Sequence, residues 1–110
     1  MICEFGDVAV VPFPFVDRDV AKSRPALVLS KSSFNDTNGN TLLAMITTAK
    51  RSAWPSDIAI TEHASAGLTQ PCVVRWKIFT LPNEIIARKV GVLGANDLAA
   101  ARVALQTVLG

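Results

Sequence analysis

The sequence predicts a mainly β fold, a small and partly open β-barrel with one C-terminal helix, formed by residues 1–110 as a single domain. The chain has 110 residues, fewer than the about 150 of a typical domain. Its short β-branched and apolar runs between turn-forming residues are typical of about five to seven short strands. Near the C-terminus, the apolar residues change to helical spacing.

Two strands with a polar loop between them are predicted in the first part of the chain. Residues 7–11 form a β-branched run that two prolines close. Residues 25–30 form a second run that opens on a proline, the strand position where a missing N–H is best tolerated. The polar connection between the two runs is long enough to predict an extended surface loop.

A hairpin and further strands are predicted in the middle of the chain. Turn-forming residues fill positions 35–40 around an Asn-Gly pair, which is a strong signal for a tight hairpin turn. We therefore expect strand to follow strand here, without a helical connection. The later strands are predicted at 41–46, 57–61, 72–79 and 90–93, with a short helical turn at 83–88.

The last segment predicts an amphipathic helix. Asn96 is a suitable N-cap, and apolar positions recur after it at three- and four-residue spacing. We expect this face to dock on the barrel; its members are Leu98, Ala101, Arg102, Leu105, Val108 and Leu109.

Composition excludes one class of protein and favours self-association. The formal net charge of +2 argues against a histone-like polycation. Apolar residues make up 50% of the chain and charged residues 18%, against about 25% charged in an average protein. Some apolar surface should therefore remain outside the core, and a homo-oligomer is its natural use.

Few residues could hold a metal ion or form a disulfide. Cys3 and Cys72 lie far apart and His63 is the one histidine, so no metal site is expected. Two buried, reduced thiols are the first expectation for the cysteines, and a disulfide is the alternative. Because the sequence has neither a membrane-spanning run nor a signal-peptide pattern, we expect a cytoplasmic protein without a membrane partner.

The common catalytic motifs are missing from the sequence. Glu62-His63 lacks the second histidine of a zinc-protease motif, and no P-loop, dinucleotide-binding glycine motif or nucleophile elbow occurs. Metalloenzyme, nucleotide-binding and α/β-hydrolase functions are therefore not expected. His63 is expected in a turn or on the surface.

An arginine and two threonines stand at the ends of predicted strands. Arg24 lies where the polar loop returns to the barrel, and Thr47 and Thr48 end an apolar strand. At one mouth of the barrel, the arginine fork and a hydroxyl group would suit a phosphate. The alternative is a surface ion pair of Arg24 with Asp17 or Asp19, with Thr47 simply ending its strand.

Three segments carry a family resemblance. Residues 6–15 read GDVAVVPFPF, residues 24–30 read RPALVLS and residues 45–48 read MITT. In this order and spacing they resemble the MazF/PemK/Kid toxins of bacterial type II toxin–antitoxin systems, and the later strands and final helix follow the same layout. The resemblance implies an SH3-like β-barrel, a homodimer and a cognate antitoxin. It also implies an endoribonuclease that needs no metal, cofactor or ribosome and cuts single-stranded RNA, usually mRNA, at a short sequence.

The same resemblance implies the catalytic residues. The family's arginine before proline is Arg24, and its strand-end threonine is Thr47, with Thr48 beside it. The acidic residue of the family's first loop matches Asp17 or Asp19 only loosely. In metal-free cleavage the RNA's own 2′-OH attacks, which yields a 2′,3′-cyclic phosphate and a 5′-OH. Arg24 is then expected to stabilise charge on the phosphate, with an aspartate as base or with orientation alone driving the attack.

Basic and aromatic residues predict the RNA path. Kid-like toxins have Arg-x-Asp in a later strand, where this chain has Arg75-Trp76-Lys77, so the arginine is kept and the aspartate is not. Trp54 is expected either to stack an unpaired base or to anchor its loop, and Trp76 to lie in the core or at a dimer contact. The predicted RNA-binding residues are Lys22, Ser23, Lys50, Arg51, Trp54, Arg75 and Lys77.

The alternative function is a non-catalytic toxin of the same barrel, such as a CcdB-like gyrase poison, or an RNA-binding module. The positions of Arg24 and Thr47 distinguish the alternatives. A nuclease requires both side chains near one phosphate, and opposite faces of the sheet would contradict it.

Overall fold

The computed structural model describes residues 1–13, 22–49 and 53–110. The strands are β1 (Asp7–Phe13), β2 (Lys22–Val28), β3 (Asn40–Thr48), β4 (Ile58–Ile60), β5 (Cys72–Pro82) and β6 (Arg88–Val92); the helices are α1 (Ser32–Asn38) and α2 (Ala95–Leu109), with a 3₁₀ turn at Asn83–Ile85. These described strands form one antiparallel sheet in the order β4-β5-β3-β2-β1-β6, which curls into a half-barrel. The predicted fold class, a small, partly open β-barrel with a C-terminal helix, is confirmed.

Apolar side chains are buried on both faces of the sheet. Successive residues of a strand point to opposite faces, so Val8 lies in the core beneath α2 and Ala9 lies in a second core on the other face. The first core also includes Leu27, Ile46, Val74 and Ala101, and the second includes Val11, Val28, Leu43 and Phe79. Because both faces are covered, the strands read as nearly continuous apolar runs.

The hairpin predicted around Asn38-Gly39 is wrong, and so is the expectation of strand following strand at this point. The residues before Gly39 form α1, and Gly39 ends it in the left-handed conformation (φ 68°), with its N–H donating to the carbonyl of Asn35 at 3.0 Å. A glycine with positive φ fits a helix C-terminus as well as a tight hairpin turn. The local signal was therefore ambiguous.

The strands that carry Arg24 and Thr47 extend past their predicted ends. β2 begins at Lys22 rather than at Pro25, and β3 runs to Thr48. Pairing of β2 with β1 begins at Lys22. Arg24 is therefore held on a strand rather than at the end of a loop.

The start of α2 differs from the prediction. Its N-cap is Gly94 rather than Asn96. The buried Asp97 carboxylate accepts hydrogen bonds from the backbone N–H groups of Thr61 (3.0 Å) and Glu62 (2.9 Å) and from the Thr61 hydroxyl (2.7 Å). These bonds fix the first turn of α2 against the residues that follow β4.

The apolar face of α2 docks over part of its length only. Leu98, Ala101 and Leu105 pack in the first core, as predicted. Arg102 instead stacks on the Phe5 ring, 4.4 Å from its centroid, and Val108 and Leu109 are 42% and 70% exposed. The helix is 15 residues long, about 22 Å, and it extends beyond the three-residue strand β4 on which its first turns pack.

The cysteines and the histidine agree with their predictions. Cys3 and Cys72 are buried and unpaired, and burial raises the pKa of both thiols. His63 lies in a turn. Among the described residues, no helix is long and apolar enough to cross a membrane.

Candidate active site

A gap opens where β2 and β3 part. The two strands pair from Val28–Leu43 to Ala26–Met45, and the next residue of β2 is Pro25, which has no N–H to add to the ladder. When the β2–β3 register is extended two residues beyond the Ala26–Met45 pair, Arg24 lies opposite Thr47. Side chains at opposed positions of neighbouring strands share a face, so these two predicted residues are on the same side of the sheet.

A pocket of about 320 Å³ occupies this gap, a volume at the lower end for ligand sites. Residues 23–25 of β2 and 46–48 of β3 line it. Consecutive strand residues alternate between the two faces of the sheet. Because three consecutive residues of each strand line the pocket, it lies between the strand ends rather than on one face.

Two glycines allow the far wall of the pocket to pack closely. Residues 67–70 line it together with Arg88 and Val90 of β6. Gly67 has φ +75°, and a Cβ there would lie 2.2 Å from the carbonyl oxygen of Val90; a Cβ on Gly91 would lie 2.4 Å from the carbonyl carbon of Ala66. Only glycine at both positions lets this loop pack backbone against backbone on β6.

The described part of the pocket carries positive charge without negative charge. Arg24 and Arg88 line it with threonine hydroxyls and the Gln70 amide, and its described lining contains no Asp, Glu or His. Neither arginine forms an ion pair with a carboxylate within residues 1–13, 22–49 and 53–110. Two such guanidinium groups with neutral donors are suited to a phosphate ligand.

Cys72 is the one thiol of the described pocket lining. Its Sγ lies 3.4 Å from the carbonyl oxygen of Gln70, and burial raises its pKa. Cys72 is therefore a buried packing residue of this lining.

The structure brings together four of the predicted site residues: Ser23, Arg24, Thr47 and Thr48 all line the pocket. Thr47 is 5% exposed, whereas Arg24 and Thr48 are half-buried. Lys22 is exposed at the start of β2, next to this lining. Asp17, Asp19, Lys50 and Arg51 lie outside the described residues.

The structure does not bring Arg75 to the pocket. Its Nε and Nη2 donate to Asp57 at 3.1 and 2.8 Å, and the side chain is nearly buried. Ile58 pairs with Val74, so Asp57 stands directly opposite Arg75 on the neighbouring strand. The hydrogen bonds from Arg75 also lower the pKa of Asp57, against the effect of burial. Arg75 therefore supports the edge of the sheet.

The tryptophans and Lys77 also lie away from the pocket lining. Trp54 is 42% exposed, and the Arg75 guanidinium lies 5.4 Å from the centroid of its ring. Contact with Arg75 thus anchors Trp54 in its loop, and part of the ring remains exposed. Trp76 belongs to the first core, and the core was one of the two locations predicted for it. Lys77 is exposed on β5.

Sequence reasoning missed Arg88, Thr69 and Gln70 as pocket residues. Arg88 was predicted at the end of a helical turn, whereas it begins β6. Its place depends on β6 pairing with β1, a long-range contact for which the sequence carries no local signal.

A family model matches residues 4–109, and it describes the PemK-like, MazF-like toxin of type II toxin–antitoxin systems. A search of curated proteins finds no match.

Solved structures of MazF toxins share the fold. MazF (Form-I) from Deinococcus radiodurans has a TM-score of 0.77 at 22% identity, covering 100% of this chain and 98% of that one. Mycobacterium tuberculosis toxin MazF-mt6 has a TM-score of 0.73 at 25% identity, covering 94% and 95%. An endoribonuclease in complex with its cognate antitoxin, from a mycobacterial species, has a TM-score of 0.75 at 18% identity, covering 99% and 94%. These similarities confirm the fold that the resemblance implied.

Proposed function

Because the chain belongs to the PemK-like, MazF-like toxin family of type II toxin–antitoxin systems, we propose that it is an endoribonuclease toxin that cuts single-stranded RNA at a short sequence, without a metal ion. The observation that carries this proposal is the pocket between β2 and β3. It holds Arg24 and Thr47 on one face of the sheet, with no described carboxylate to neutralise the arginine.

The proposed reaction uses the 2′-OH of the RNA as its nucleophile. The 2′ oxygen forms a bond to phosphorus, the bond between phosphorus and the 5′ oxygen breaks, and the products are a 2′,3′-cyclic phosphate and a 5′-OH. The 2′-OH loses its proton, and the leaving 5′ oxygen gains one. No side chain forms a covalent bond, which agrees with a pocket that offers donors rather than a nucleophile.

Arg24 and Thr47 are proposed to stabilise the charge of this reaction. Negative charge grows on the non-bridging oxygens as the new bond forms, and donors held in advance at that point lower the barrier most. The guanidinium supplies a permanent charge and a planar fork of donors, and the hydroxyls of Thr47 and Thr48 add neutral donors. Arg24 acts by charge, because a guanidinium group is a poor proton donor at neutral pH.

The general base is proposed to be Asp17 or Asp19. The described pocket lining offers neither a carboxylate nor a histidine. Both aspartates belong to the connection between β1 and β2, the strand that carries Arg24. If neither aspartate acts, the site depends on orienting the in-line attack.

The proposal includes a homodimer, a cognate antitoxin and a cytoplasmic site of action, where the RNA substrate is. Val103, Val108 and Leu109 leave an exposed apolar surface on α2, which supports self-association. The solved complexes of related folds, MazE–MazF from Deinococcus radiodurans and the mycobacterial endoribonuclease with its antitoxin, support an antitoxin partner.

Primer-extension mapping of a long RNA tests the proposal. Purified protein is incubated with the RNA with and without EDTA, and supercoiling by gyrase is measured in parallel. Discrete cuts that resist EDTA are expected, with 5′-OH ends. Intact RNA in the presence of the folded protein would contradict the nuclease function, and gyrase inhibition with intact RNA would favour the CcdB-like alternative.

A further inference from the structure

We propose that Arg88 binds the phosphate next to the scissile one, so that the pocket holds two consecutive phosphates of one RNA strand; this rests on the nuclease function proposed above. Arg88 is the first residue of β6 and lines the same pocket as Arg24. Its side chain is exposed. None of the carboxylates that the structure describes is paired with it.

The register of three neighbouring strands places Arg88 relative to Arg24. Val10 of β1 pairs with Pro25 of β2 on one side and with Arg88 of β6 on the other. Adjacent strands lie about 4.8 Å apart, so the backbone of Arg88 is about 10 Å from that of Pro25, the neighbour of Arg24. The two arginines therefore stand on opposite sides of the same opening.

Side-chain alternation assigns the arginines to different phosphates. Paired residues share a face, so Arg88 points to the same side as Val10 and Pro25. Arg24, one residue before Pro25, points to the other side together with Thr47. The two side chains thus reach the shared pocket from different directions, so consecutive phosphates of one RNA strand lying across it can each meet one arginine.

Neutral donors accompany each arginine. Thr47 lies on the side of Arg24, and Ser23 and Thr48 alternate to the side of Arg88. The described lining supplies no negative charge, so an anionic ligand with two charges would complement both cations. Two consecutive phosphodiesters are such a ligand.

The test begins from the mapped cleavage site. An oligoribonucleotide that spans this site, with a 2′-deoxy group at the attacking nucleotide, binds without being cut. Its affinity is measured by fluorescence anisotropy for wild type, Arg88→Ala, Arg88→Gln and a control, Arg102→Ala. Arg102 is an exposed arginine on α2 that stacks on Phe5, so the control removes the same charge away from the pocket.

Arg88→Ala and Arg88→Gln are expected to bind about tenfold more weakly than wild type. The slope of log K against log salt concentration, measured from about 50 to about 200 mM, should fall by about 0.7, the contribution of one phosphate contact on a single strand. Arg102→Ala should change neither quantity. With cleavable RNA, the Arg88 variants should raise KM and retain kcat.

A second arm changes the RNA instead of the protein. A neutral methylphosphonate replaces one phosphate at a time on either side of the cut. A methylphosphonate at one flanking position should lower the affinity of wild type about tenfold. It should not lower the affinity of Arg88→Ala any further, because each change removes the same contact. Since this arm includes unaltered protein, a lack of any flanking effect on wild type would overturn the proposal even if an Arg88 variant fails to fold.

Two failures are distinguishable. If wild-type protein cuts no RNA, the nuclease function falls and the Arg88 proposal with it. If wild type cuts RNA but Arg88→Ala behaves like Arg102→Ala, or if no flanking methylphosphonate weakens wild-type binding, Arg88 has no phosphate contact while the nuclease function stands.

Discussion

Polar side chains have opposite surroundings at the two ends of β3. At its first residues, Thr41 is fully buried and its hydroxyl donates to Oδ1 of Asn83 at 2.7 Å. At its last residues, Thr47 and Thr48 border a pocket that opens to solvent beside two arginines. One end is closed by polar groups that bond to each other, and at the other end polar groups line an open pocket.

The closed end is a hydrogen-bond network that joins α1, β3 and the 3₁₀ turn. Nδ2 of Asn83 donates to the carbonyl of Asn35 at 2.7 Å, and Nδ2 of Asn35 donates to the carbonyl of Cys3 at 2.9 Å. The Ser30 hydroxyl donates to Oδ1 of Asn35. Buried polar groups with partners of this kind make one arrangement of the chain specific, so this network holds the sheet from which the pocket opens.

Burial alone does not identify a functional polar residue. Asn35 and Thr47 are both buried, but the first has its partners within the protein, whereas the second stands next to an arginine that no described carboxylate neutralises. Changes at the open end should therefore reduce activity without unfolding the protein, and changes at the closed end should do the reverse.

Arg24→Ala is expected to have the largest effect. Loss of one preorganised donor to the reacting phosphate should lower the single-turnover rate about 10²- to 10³-fold, while the free energy of unfolding changes by less than about 0.5 kcal/mol. Both quantities are measured on the same preparation, with Arg102→Ala as control. A rate close to that of the control would remove Arg24 from the site.

Asn35→Ala should destabilise the closed end without changing the chemistry. It leaves the Cys3 carbonyl without its side-chain donor and the Ser30 hydroxyl without its acceptor, at a cost of about 2–3 kcal/mol in the free energy of unfolding. Urea denaturation measures the loss, and cleavage at a temperature where the variant is still folded should match wild type. Asn38→Ala, at an exposed position of the same helix, is the matched control and should cost far less.

Gly67→Ala tests whether the far wall positions the pocket. The new Cβ meets the Val90 carbonyl in a backbone conformation with positive φ, so we expect a loss of stability of about 1–3 kcal/mol and weaker RNA binding as the wall shifts. Gly39→Ala has a similar φ of +68° and open space around its Cβ, so it should lose stability alone. Equal RNA binding by the two variants would show that the wall is dispensable.

Acid should weaken the docking of α2. Burial acts to raise the pKa of Asp97, but hydrogen bonds from the Thr61 hydroxyl and the N–H groups of Glu62 and Thr61 outweigh it and lower that pKa. A carboxylate with a lowered pKa adds stability above the unfolded value of about 3.9, and this stability is lost as the pH falls further.

The effect is the smallest of the four, and a comparison of variants isolates it. Unfolding free energies measured from neutral pH to about pH 3 should decline less steeply for Asp97→Asn than for wild type. Asp36→Asn, which removes an exposed carboxylate from α1, should follow the wild-type slope. Parallel curves for all three proteins would contradict the role given to Asp97.

Local patterns predicted most of the fold and the centre of the candidate site. The β-branched runs and the prolines place β1, β2 and β3, and Arg24 and Thr47 could be chosen because they stand where such runs end. The hairpin prediction from the Asn-Gly pair was wrong, because a glycine with positive φ ends a helix as readily as it forms a hairpin.

Residues whose role depends on strand order could not be read from the sequence. Arg88 enters the pocket because β6 pairs with β1, and Arg75 is held by Asp57 because β4 pairs with β5. A cation in a sequence looks the same whether it faces a ligand or a carboxylate on the next strand. The roles of Asp17 and Asp19 stay predictions.

A nuclear magnetic resonance titration tests the central claim, that RNA binds at the open end of β3, most directly. Uniformly ¹⁵N-labelled wild-type protein is titrated with the non-cleavable oligonucleotide, and amide shifts are compared across the molecule. We predict the largest shifts at Ser23, Arg24, Thr47, Thr48 and Arg88, with little change at Asn35, Thr41 and Asn83. Shifts concentrated at the closed end or along α2, with the pocket unchanged, would contradict it.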